Sequence, residues 1–276
     1  RSFGHVGFTG GSVWLDPVRM ATAARLIADR IGGLDASLDL QARTDAYVED
    51  LEQLNDEIVE MLGAGGMGEV YLGERDDEMY RRQVAVKLVQ HGPRPSLMRR
   101  FSRERAILAR LIHPHVATLY DGGVTEDGRP YLVMEYVDGA PITQYCDDRA
   151  LSLRARIDLF LTVCDAVQFA HGALVVHRDL KPSNILVDRN GQVKLLDFGI
   201  AKITQRTVQA SGWGTVGYLA PEQALGKPSF RSDVFSVGLV LYEMLSGRRP
   251  FAGGSSAEHI SAVLRDEPPP LPSPLK

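Results

Sequence analysis

Two short stretches of this sequence carry carboxylate, carboxamide and cationic side chains at a spacing suited to chemistry on phosphate. Residues 177–184 spell His-Arg-Asp-Leu-Lys-Pro-Ser-Asn, which sets Asp179 five residues before Asn184. Asp197 lies thirteen residues after Asn184 and is followed by Phe198 and Gly199. Asp179 can orient an incoming hydroxyl, and Asn184 and Asp197 offer the oxygen donors that Mg²⁺ prefers. The pattern predicts phosphoryl transfer from a magnesium-bound nucleotide.

Cationic and imidazole side chains stand beside these groups. Lys181 lies two residues beyond Asp179, from where it can neutralise the charge that grows on a transferring phosphoryl group. We interpret His177 as a packed side chain that braces the loop, not as an acid or a base. No histidine of the sequence stands at a convincing metal-ligand spacing.

A glycine-rich stretch offers a place for phosphates. Residues 63–70 spell Gly-Ala-Gly-Gly-Met-Gly-Glu-Val and fit G-x-G-x-x-G-x-V between two predicted strands. Glycine lets the backbone approach phosphate oxygens because no Cβ intervenes. A dinucleotide-binding fold would need a helix directly after the glycines. Residues 71–73, Tyr-Leu-Gly, predict a strand and a turn instead, which argues against that fold.

Lys87 and Glu104 form a candidate ion pair. Lys87 ends a predicted strand and, taken alone, would be an exposed strand lysine. Glu104 lies on a helix predicted at about Ser96–Leu111 and shares its face with apolar residues. These are Leu97, Phe101, Ile107, Leu108 and Leu111. A carboxylate on a buried face needs a cationic partner, and pairing with Glu104 would hold Lys87 against the α- and β-phosphates.

The elements that must position these residues change in character along the chain. Residues 1–58 predict a helical hairpin, 59–138 predict strands with one helix, and 139–276 predict mostly helix. Strands are predicted at 58–62, 69–72, 83–88, 116–120 and 130–136. The clearest later helices are Leu153–His171 and Ser232–Ser246, and the proline-rich tail predicts extended chain.

Composition limits the class of protein. A chain of 276 residues can hold one large domain or two lobes. A formal net charge of −4 argues against a protein that coats nucleic acid. Cys146 and Cys164 are too few for a disulfide framework and are predicted to be reduced thiols. No apolar run approaches the roughly 20 residues that span a bilayer. A start at Arg1, not methionine, indicates a fragment.

Residues 59–265 resemble a bacterial protein serine/threonine kinase of the Hanks type. Five motifs carry the resemblance in the order of that family. They are Gly63–Val70, Val84–Lys87, His177–Asn184, Asp197–Gly199 and Ala220–Glu222. The resemblance implies a bilobal α+β fold, with a β-rich small lobe at 59–138 and a helical large lobe at 139–276. It also implies transfer of the γ-phosphoryl group of ATP to Ser/Thr hydroxyls of protein substrates, with Asp179 as catalytic base.

The resemblance assigns residues to sites. The catalytic set that it implies is Asp179, Lys181, Lys87 and Glu104. The implied metal ligands are Asn184 and Asp197, for Mg²⁺ or alternatively Mn²⁺. The implied ATP-binding residues are Leu62, Gly63, Ala64, Gly65, Gly66, Met67, Gly68, Val70, Ala85, Lys87, Met134, Glu135, Val137, Asn184 and Asp197.

Some of these roles are specific. Met134 would guard the back of the adenine pocket, with residues 135–137 as the hinge. Ala85 would pack on the adenine. Asp233 would brace the catalytic loop from a central helix. These roles are implied by the resemblance alone.

The resemblance also concerns acceptors and regulation. Residues 181–183, Lys-Pro-Ser, stand where tyrosine kinases have a different sequence, which implies Ser/Thr acceptors. Our hypothesis is that phosphate on Thr207 or Ser211 pairs with Arg178 and orders this loop. The alternative is that both are ordinary loop hydroxyls. Thr215 would face the catalytic loop.

Two departures from the family leave alternatives open. The large lobe of the family continues past residue 270 and supplies an arginine partner for Glu222, so we expect a C-terminally truncated lobe. A pseudokinase-like nucleotide-binding scaffold, inactive through truncation, is therefore the alternative function.

Residues about 12–58 weakly resemble zinc/manganese solute-binding proteins of ABC transporters, with Ser12 where that family has a histidine ligand. A periplasmic metal carrier is the third interpretation. The longer kinase resemblance favours the cytoplasm, or the cytoplasmic part of a membrane-tethered protein.

Overall fold

The described part of the chain forms two compact units. The structure is a computed structural model. It describes residues 56–65, 68–77, 80–89, 95–125, 128–198, 216–251 and 256–272. The smaller unit contains the described residues before Arg94 together with Tyr120–Tyr136, and the larger contains Arg94–Leu119 and the described residues from Val137 onward. The helical hairpin predicted for residues 1–58 lies outside the described residues as far as position 55, and its last three residues, 56–58, belong to a β-strand instead of a helix.

The smaller unit is built on one five-stranded sheet. Its strands are β1 (Asp56–Gly65), β2 (Gly68–Asp77), β3 (Tyr80–Val89), β4 (Leu119–Val124) and β5 (Pro130–Glu135). The spatial order is β1-β2-β3-β5-β4. Alternate residues of a strand face opposite sides of a sheet, and one side carries a buried apolar cluster. Its members are Tyr71, Val84, Val86, Leu88, Tyr131 and Val133.

The larger unit is mainly helical. Its helices are α1 (Pro95–Leu108), α2 (Ile142–Asp148), α3 (Leu153–Gly172), α4 (Pro221–Ala224), α5 (Phe230–Ser246) and α6 (Ser256–Arg265). A small antiparallel sheet joins β6 (Gly139–Pro141), β7 (Ile185–Asp188) and β8 (Val193–Leu195). Among the helices described, none is long and apolar enough to cross a bilayer.

The core of the larger unit lies between α3, α5 and the small sheet. Val163 and Ala166 of α3 are fully buried, as are Val240 of α5 and Leu195 of β8. The helix α3 starts where the Ser152 hydroxyl accepts a hydrogen bond from the backbone N–H of Ala155, a standard N-cap arrangement. This core fixes the positions of α3 and α5, the two helices whose side chains hold the candidate site.

Side chains reinforce the same unit. The guanidinium of Arg156 on α3 donates to the carbonyl oxygens of Leu151, Cys146 and Met244, at 3.1, 3.2 and 2.8 Å. It also pairs with Asp147, with 2.8 Å between nitrogen and oxygen. Burial raises the pKa of the Cys146 and Cys164 thiols, and both cysteines are unpaired thiols.

The main predictions of element type are confirmed, with differences at short elements. The helices predicted at 153–171 and 232–246 correspond to α3 and α5. The strand predicted at 116–120 is shifted, because β4 begins at Leu119 and Val116 forms an isolated parallel bridge with Leu195. The sheet of β6, β7 and β8 was not predicted, since strands of three or four residues are too short to show a period of two.

Candidate active site

The loop at residues 177–184 is anchored by a buried carboxylate. Asp233 of α5 is 1% exposed. Its Oδ2 accepts from the backbone N–H of His177 at 2.7 Å, and its Oδ1 accepts from that of Arg178 at 2.8 Å. The ring Nε2 of His171 on α3 lies 2.8 Å from Oδ2. The structure therefore confirms that Asp233 braces this loop.

His177 is a bracing residue, as predicted. Its side chain is buried, and its ring centroid lies 4.5 Å from that of Phe198. Its Nε2 lies 2.8 Å from the carbonyl oxygen of Leu196, and the backbone N–H of Asp179 donates to its Nδ1 at 3.3 Å. These two partners require a neutral ring protonated at Nε2. Burial lowers the pKa of His177 and so favours that neutral form.

The carboxylate of Asp179 is held by two neighbours on the same loop. Its Oδ2 lies 3.1 Å from the Nζ of Lys181 and accepts from the Nδ2 of Asn184 at 3.0 Å. The same Nδ2 donates to the backbone carbonyl of Asp179 at 2.8 Å. The structure thus brings together three of the predicted site residues, with a cation against the carboxylate.

Asn184 and Asp197 are brought near each other by the hairpin of β7 and β8. Asn184 immediately precedes β7, and Asp197 follows β8 by two residues, while Ile185 pairs with Leu195 across the hairpin. The backbone N–H of Leu196 donates to the carbonyl of Asn184 at 2.9 Å. Both predicted metal ligands therefore lie at the open end of one hairpin.

The donors available at this hairpin end are oxygen atoms, of the kind that hard divalent cations prefer. Because Nδ2 of Asn184 serves Asp179, the oxygen of its carboxamide is the arm that would reach a metal, together with the carboxylate of Asp197. The described residues contain no group of three or more His, Cys, Asp or Glu side chains that could hold a metal ion. Mg²⁺ is usually bound by one or two protein oxygens plus water and phosphate, and two oxygen donors are compatible with a divalent cation bound in that way.

Two non-glycine residues at this site have positive φ. The φ angles of Arg178 and Asp197 are 68° and 55°. Such conformations are uncommon for residues with a Cβ and need support from their surroundings. Arg178 receives that support at both ends, since its N–H is bound by Asp233 and its carbonyl accepts from Nε2 of Gln223 at 2.9 Å.

In the smaller unit, strand register collects four predicted nucleotide-binding residues on one face of the sheet. Lys87 of β3 pairs with Val70 of β2, and Ala85 pairs with Met134 of β5. Directly paired residues share a face, and so do residues two apart along a strand. Val70, Ala85, Lys87 and Met134 therefore lie on the face opposite the buried apolar cluster. Lys87 is 8% exposed.

The glycine-rich stretch forms the hairpin of β1 and β2. Gly63 pairs with Val70, and Gly65 pairs with Gly68. The φ of Gly68 is +136°, and a Cβ there would lie 1.9 Å from the carbonyl oxygen of Leu88. Only glycine fits that position. Gly66 and Met67, which separate the two strands in sequence, lie outside the described residues.

Other predicted residues are placed by their elements. Ala64 lies on β1, Glu135 ends β5, and Val137 follows it. Leu62 on β1 is 42% exposed. Glu104 lies on α1, but its side chain is outside the described part of the structure, so the Lys87–Glu104 pair stays a prediction.

The helix that carries Glu104 differs in detail from its prediction. Phe101 is buried, as expected for its apolar face, whereas Ile107 is 39% exposed. Gly199, Thr204, Thr207, Ser211 and Thr215 lie outside the described residues. The predicted roles of the threonine and serine hydroxyls stay predictions.

Sequence reasoning missed several partners that act across the larger unit. The carboxylate of Glu222 on α4 accepts from the hydroxyl of Ser232 on α5 at 2.6 Å, so it has a partner other than the expected arginine. His171 contacts Asp233 from 62 residues earlier in the chain, and Gln223 contacts Arg178 of the loop from 45 residues later. No local sequence pattern predicts contacts between residues that are so far apart in the chain.

Comparison with known proteins identifies relatives. The profile of the protein kinase domain family matches residues 57–269. The serine/threonine-protein kinase PknA of Mycobacterium tuberculosis (strain ATCC 25618 / H37Rv) is 42% identical over an aligned length of 226 residues, and the match covers 78% of this chain and 52% of PknA. The chain thus spans about half the length of this relative. The family profile begins at residue 57 and so lends no support to the weaker resemblance of residues about 12–58.

Solved structures agree with the sequence relatives. The kinase domain of M. tuberculosis PknI matches with a TM-score of 0.57 and 29% identity, over 72% of this chain and 75% of that one. Residues 1–466 of Rad53, in complex with AMP-PNP, match with a TM-score of 0.61 and 26% identity, over 76% of this chain and 53% of that one.

Proposed function

This chain belongs to the protein kinase domain family, and we propose that it acts as an ATP-dependent protein serine/threonine kinase. The observation that carries the proposal is the contact of Asp179 with both Lys181 and Asn184 on a loop anchored by Asp233. A cation and a carboxamide hold the carboxylate in one orientation, which is what a group that orients an incoming hydroxyl requires.

The larger unit would act on the reacting groups. Asp179 would orient the Ser or Thr hydroxyl of a protein substrate and accept its proton as the oxygen–phosphorus bond forms and the bond to the leaving ADP breaks. Lys181 would offset the negative charge of the transferring group. Asn184 and Asp197 would hold Mg²⁺, or alternatively Mn²⁺, which when bound neutralises charge between the β- and γ-phosphates.

The smaller unit would bind the nucleotide. We propose that the backbone of residues 62–68 covers the phosphates, and that Lys87 pairs with them while Glu104 holds the lysine. The adenine would lie against Val70 and Ala85. Residues 134–137 would supply the back of the pocket and the hinge. The AMP-PNP in the Rad53 complex supports a nucleotide of this type.

Regulation and context are further parts of the proposal. Phosphate on Thr207 or Ser211 would pair with Arg178, so the chain would be its own substrate as well as acting on other proteins. Residues 59–138 would serve as the small lobe and 139–276 as the large lobe. We expect it to work in the cytoplasm, alone or as the cytoplasmic part of a longer protein.

A transfer assay tests the proposal. The chain is incubated with γ-labelled ATP, Mg²⁺ and a generic Ser/Thr-rich protein, and the labelled amino acids are identified. We expect label on serine and threonine, and at least a 100-fold lower rate for Asp179→Asn, since positioned acid–base groups contribute about 10²–10⁴-fold. Asp158→Asn, at an exposed position of α3, is the matched control. Nucleotide binding without transfer by the unmodified chain would favour the scaffold alternative.

A further inference from the structure

Gln223 on α4 links two segments that are distant in sequence. Its side chain is buried, with 8% of the residue exposed. Its Nε2 donates to the backbone carbonyl of Arg178 at 2.9 Å, and its Oε1 accepts from the backbone N–H of Ala220 at 3.2 Å. One amide therefore connects the loop that carries Asp179 to the start of α4.

The two partners explain why this residue is a carboxamide. A carbonyl can only accept, and an N–H can only donate, so the side chain between them must offer one donor and one acceptor. The same requirement fixes which arm of the amide is nitrogen. A carboxylate would set an acceptor against the carbonyl of Arg178, and an apolar side chain would serve neither partner.

Helix capping accounts for only half of this arrangement. The bond from the N–H of Ala220 to Gln223 is the return half of a capping box, in which the third helical residue reaches back to the residue before the helix. Ala220 has no side-chain oxygen to complete the box. The bond from Gln223 to Arg178 lies outside any capping motif, because it leaves the helix for a segment 45 residues earlier.

The hydrogen bond from Gln223 is made to Arg178, the residue of this loop that has a positive φ next to Asp179. The peptide unit between Arg178 and Asp179 consists of the carbonyl of Arg178 and the N–H of Asp179. Gln223 binds the carbonyl, and Nδ1 of His177 accepts from the N–H at 3.3 Å. Arg178 has a φ of 68°. The Cα of Asp179 lies in the plane of the peptide that follows, so the orientation of this plane helps to set the direction in which the Asp179 side chain leaves the backbone.

The backbone segment that leads into α4 is itself held in place by hydrogen bonds. The hydroxyl of Ser236 donates to the carbonyl of Tyr218 at 2.8 Å. The ring Nε2 of the buried His259 lies 3.2 Å from the carbonyl of Leu219. The backbone directly before α4 is therefore held by α5 and α6, so Gln223 starts from a fixed position.

We propose that Gln223 is a positioning residue that orients Asp179 by holding the peptide plane before it. This inference rests on the proposed function, because it gives Asp179 the role of orienting the acceptor hydroxyl. Gln223 does not touch substrate in this proposal; it acts through the backbone of Arg178.

Gln223→Met tests the proposal, since methionine has a similar length and forms neither bond. We expect kcat for phosphoryl transfer to fall on the order of 10- to 100-fold, because small misplacements of reacting groups have effects of that size. The KM for ATP should stay within about two-fold, as the nucleotide contacts are not altered. Tyr242→Phe is the matched control, because it removes one hydrogen bond of the same unit, from the Tyr242 hydroxyl to Pro269, and should leave kcat unchanged.

A second variant keeps the test usable if Gln223→Met does not fold. Gln223→Glu, assayed at pH 8, retains the acceptor for Ala220 and so the start of α4, but its carboxylate offers no proton to Arg178. We expect its kcat to fall as for Gln223→Met. A kcat within two-fold of the unmodified chain for a folded Gln223→Met or Gln223→Glu variant would overturn the inference.

Amide hydrogen exchange separates this inference from the proposed function. We expect exchange in residues 177–180 to rise about ten-fold in Gln223→Met and to stay unchanged in Tyr242→Phe, since loss of an anchor promotes local opening. Faster exchange in a chain that transfers no phosphate would support the link from Gln223 to the loop and refute the kinase proposal. Unchanged exchange and unchanged kcat in an active chain would refute only the role of Gln223.

Discussion

The two units hold their candidate functional residues by different means. In the smaller unit, backbone pairing between neighbouring strands sets Val70, Ala85, Lys87 and Met134 on one face. In the larger unit, side chains from distant elements hold the loop of Asp179, with Asp233 bound to His177 and Arg178 across 56 and 55 residues. The first arrangement depends on main-chain geometry, and the second depends on individual polar side chains.

This difference predicts which substitutions each unit tolerates. Strand register survives most side-chain changes, so the smaller unit should be sensitive chiefly where a Cβ cannot fit. Buried polar contacts fail when one partner is lost, because the other remains buried and unsatisfied. The larger unit should therefore be sensitive at its anchoring side chains.

The largest effect is expected for Asp233→Asn. Asn has nearly the same shape, but one carboxylate oxygen becomes an NH₂ group that faces N–H donors from the loop or His171. We expect the free energy of unfolding to fall by about 2–4 kcal/mol and transfer to fall by more than 100-fold. Urea unfolding and the label assay measure these effects. A loss below about 1 kcal/mol would contradict the anchoring role.

Arg156 and Arg154 form a matched pair on α3. Arg156 donates to three backbone carbonyls besides Asp147, whereas Arg154 pairs with Asp158 at the surface, with side chains 86% and 52% exposed. We expect Arg156→Ala to lower the free energy of unfolding by about 2–3 kcal/mol. Arg154→Ala should change it by no more than about 0.5 kcal/mol. Equal losses in urea titrations would refute the importance of side-chain anchoring.

Gly68→Ala tests the backbone arrangement of the smaller unit. A Cβ would meet the carbonyl oxygen of Leu88 at 1.9 Å, and φ is +136°. We expect a loss of about 1–2 kcal/mol in the free energy of unfolding and a higher KM for ATP. Gly238 on α5 is the control, since a Cβ there has no neighbour within 4 Å. Gly238→Ala should be neutral or stabilise the chain by about 0.5–1 kcal/mol; a loss as large as that of Gly68→Ala would be inconsistent with the steric argument.

The smallest effect is a pH dependence of stability in the larger unit. Burial lowers the pKa of both His177 and His259 below the usual value of 6.5. As pH falls below about 6.5, the unfolded chain takes up protons that the folded chain does not, so the free energy of unfolding falls. The decrease is at most about 1.4 kcal/mol per pH unit for each histidine, until the pH reaches the lowered pKa.

Urea unfolding between pH 7.5 and 5 measures that slope. His259→Gln should flatten this slope by the contribution of one histidine. An unchanged slope in His259→Gln would mean that His259 titrates alike in the folded and unfolded chain.

Prediction from sequence succeeded where the signal was local. The long helices α3 and α5 were found because their apolar residues recur at helical spacing over many turns. The hairpin of β1 and β2 and the strand of Lys87 were found because short strands alternate with glycine turns. The short strands β6, β7 and β8 were missed, because three or four residues show no period.

The amino-acid sequence by itself determined which functional groups are present and the order of the motifs, because Asp179, Lys181 and Asn184 lie within six consecutive positions. Tertiary structure decided how that loop is supported: by Asp233 at the N–H groups of His177 and Arg178, and by Gln223 at the carbonyl of Arg178. The physical reason is that these contacts depend on how α3, α4 and α5 pack, and packing joins residues that no local pattern relates.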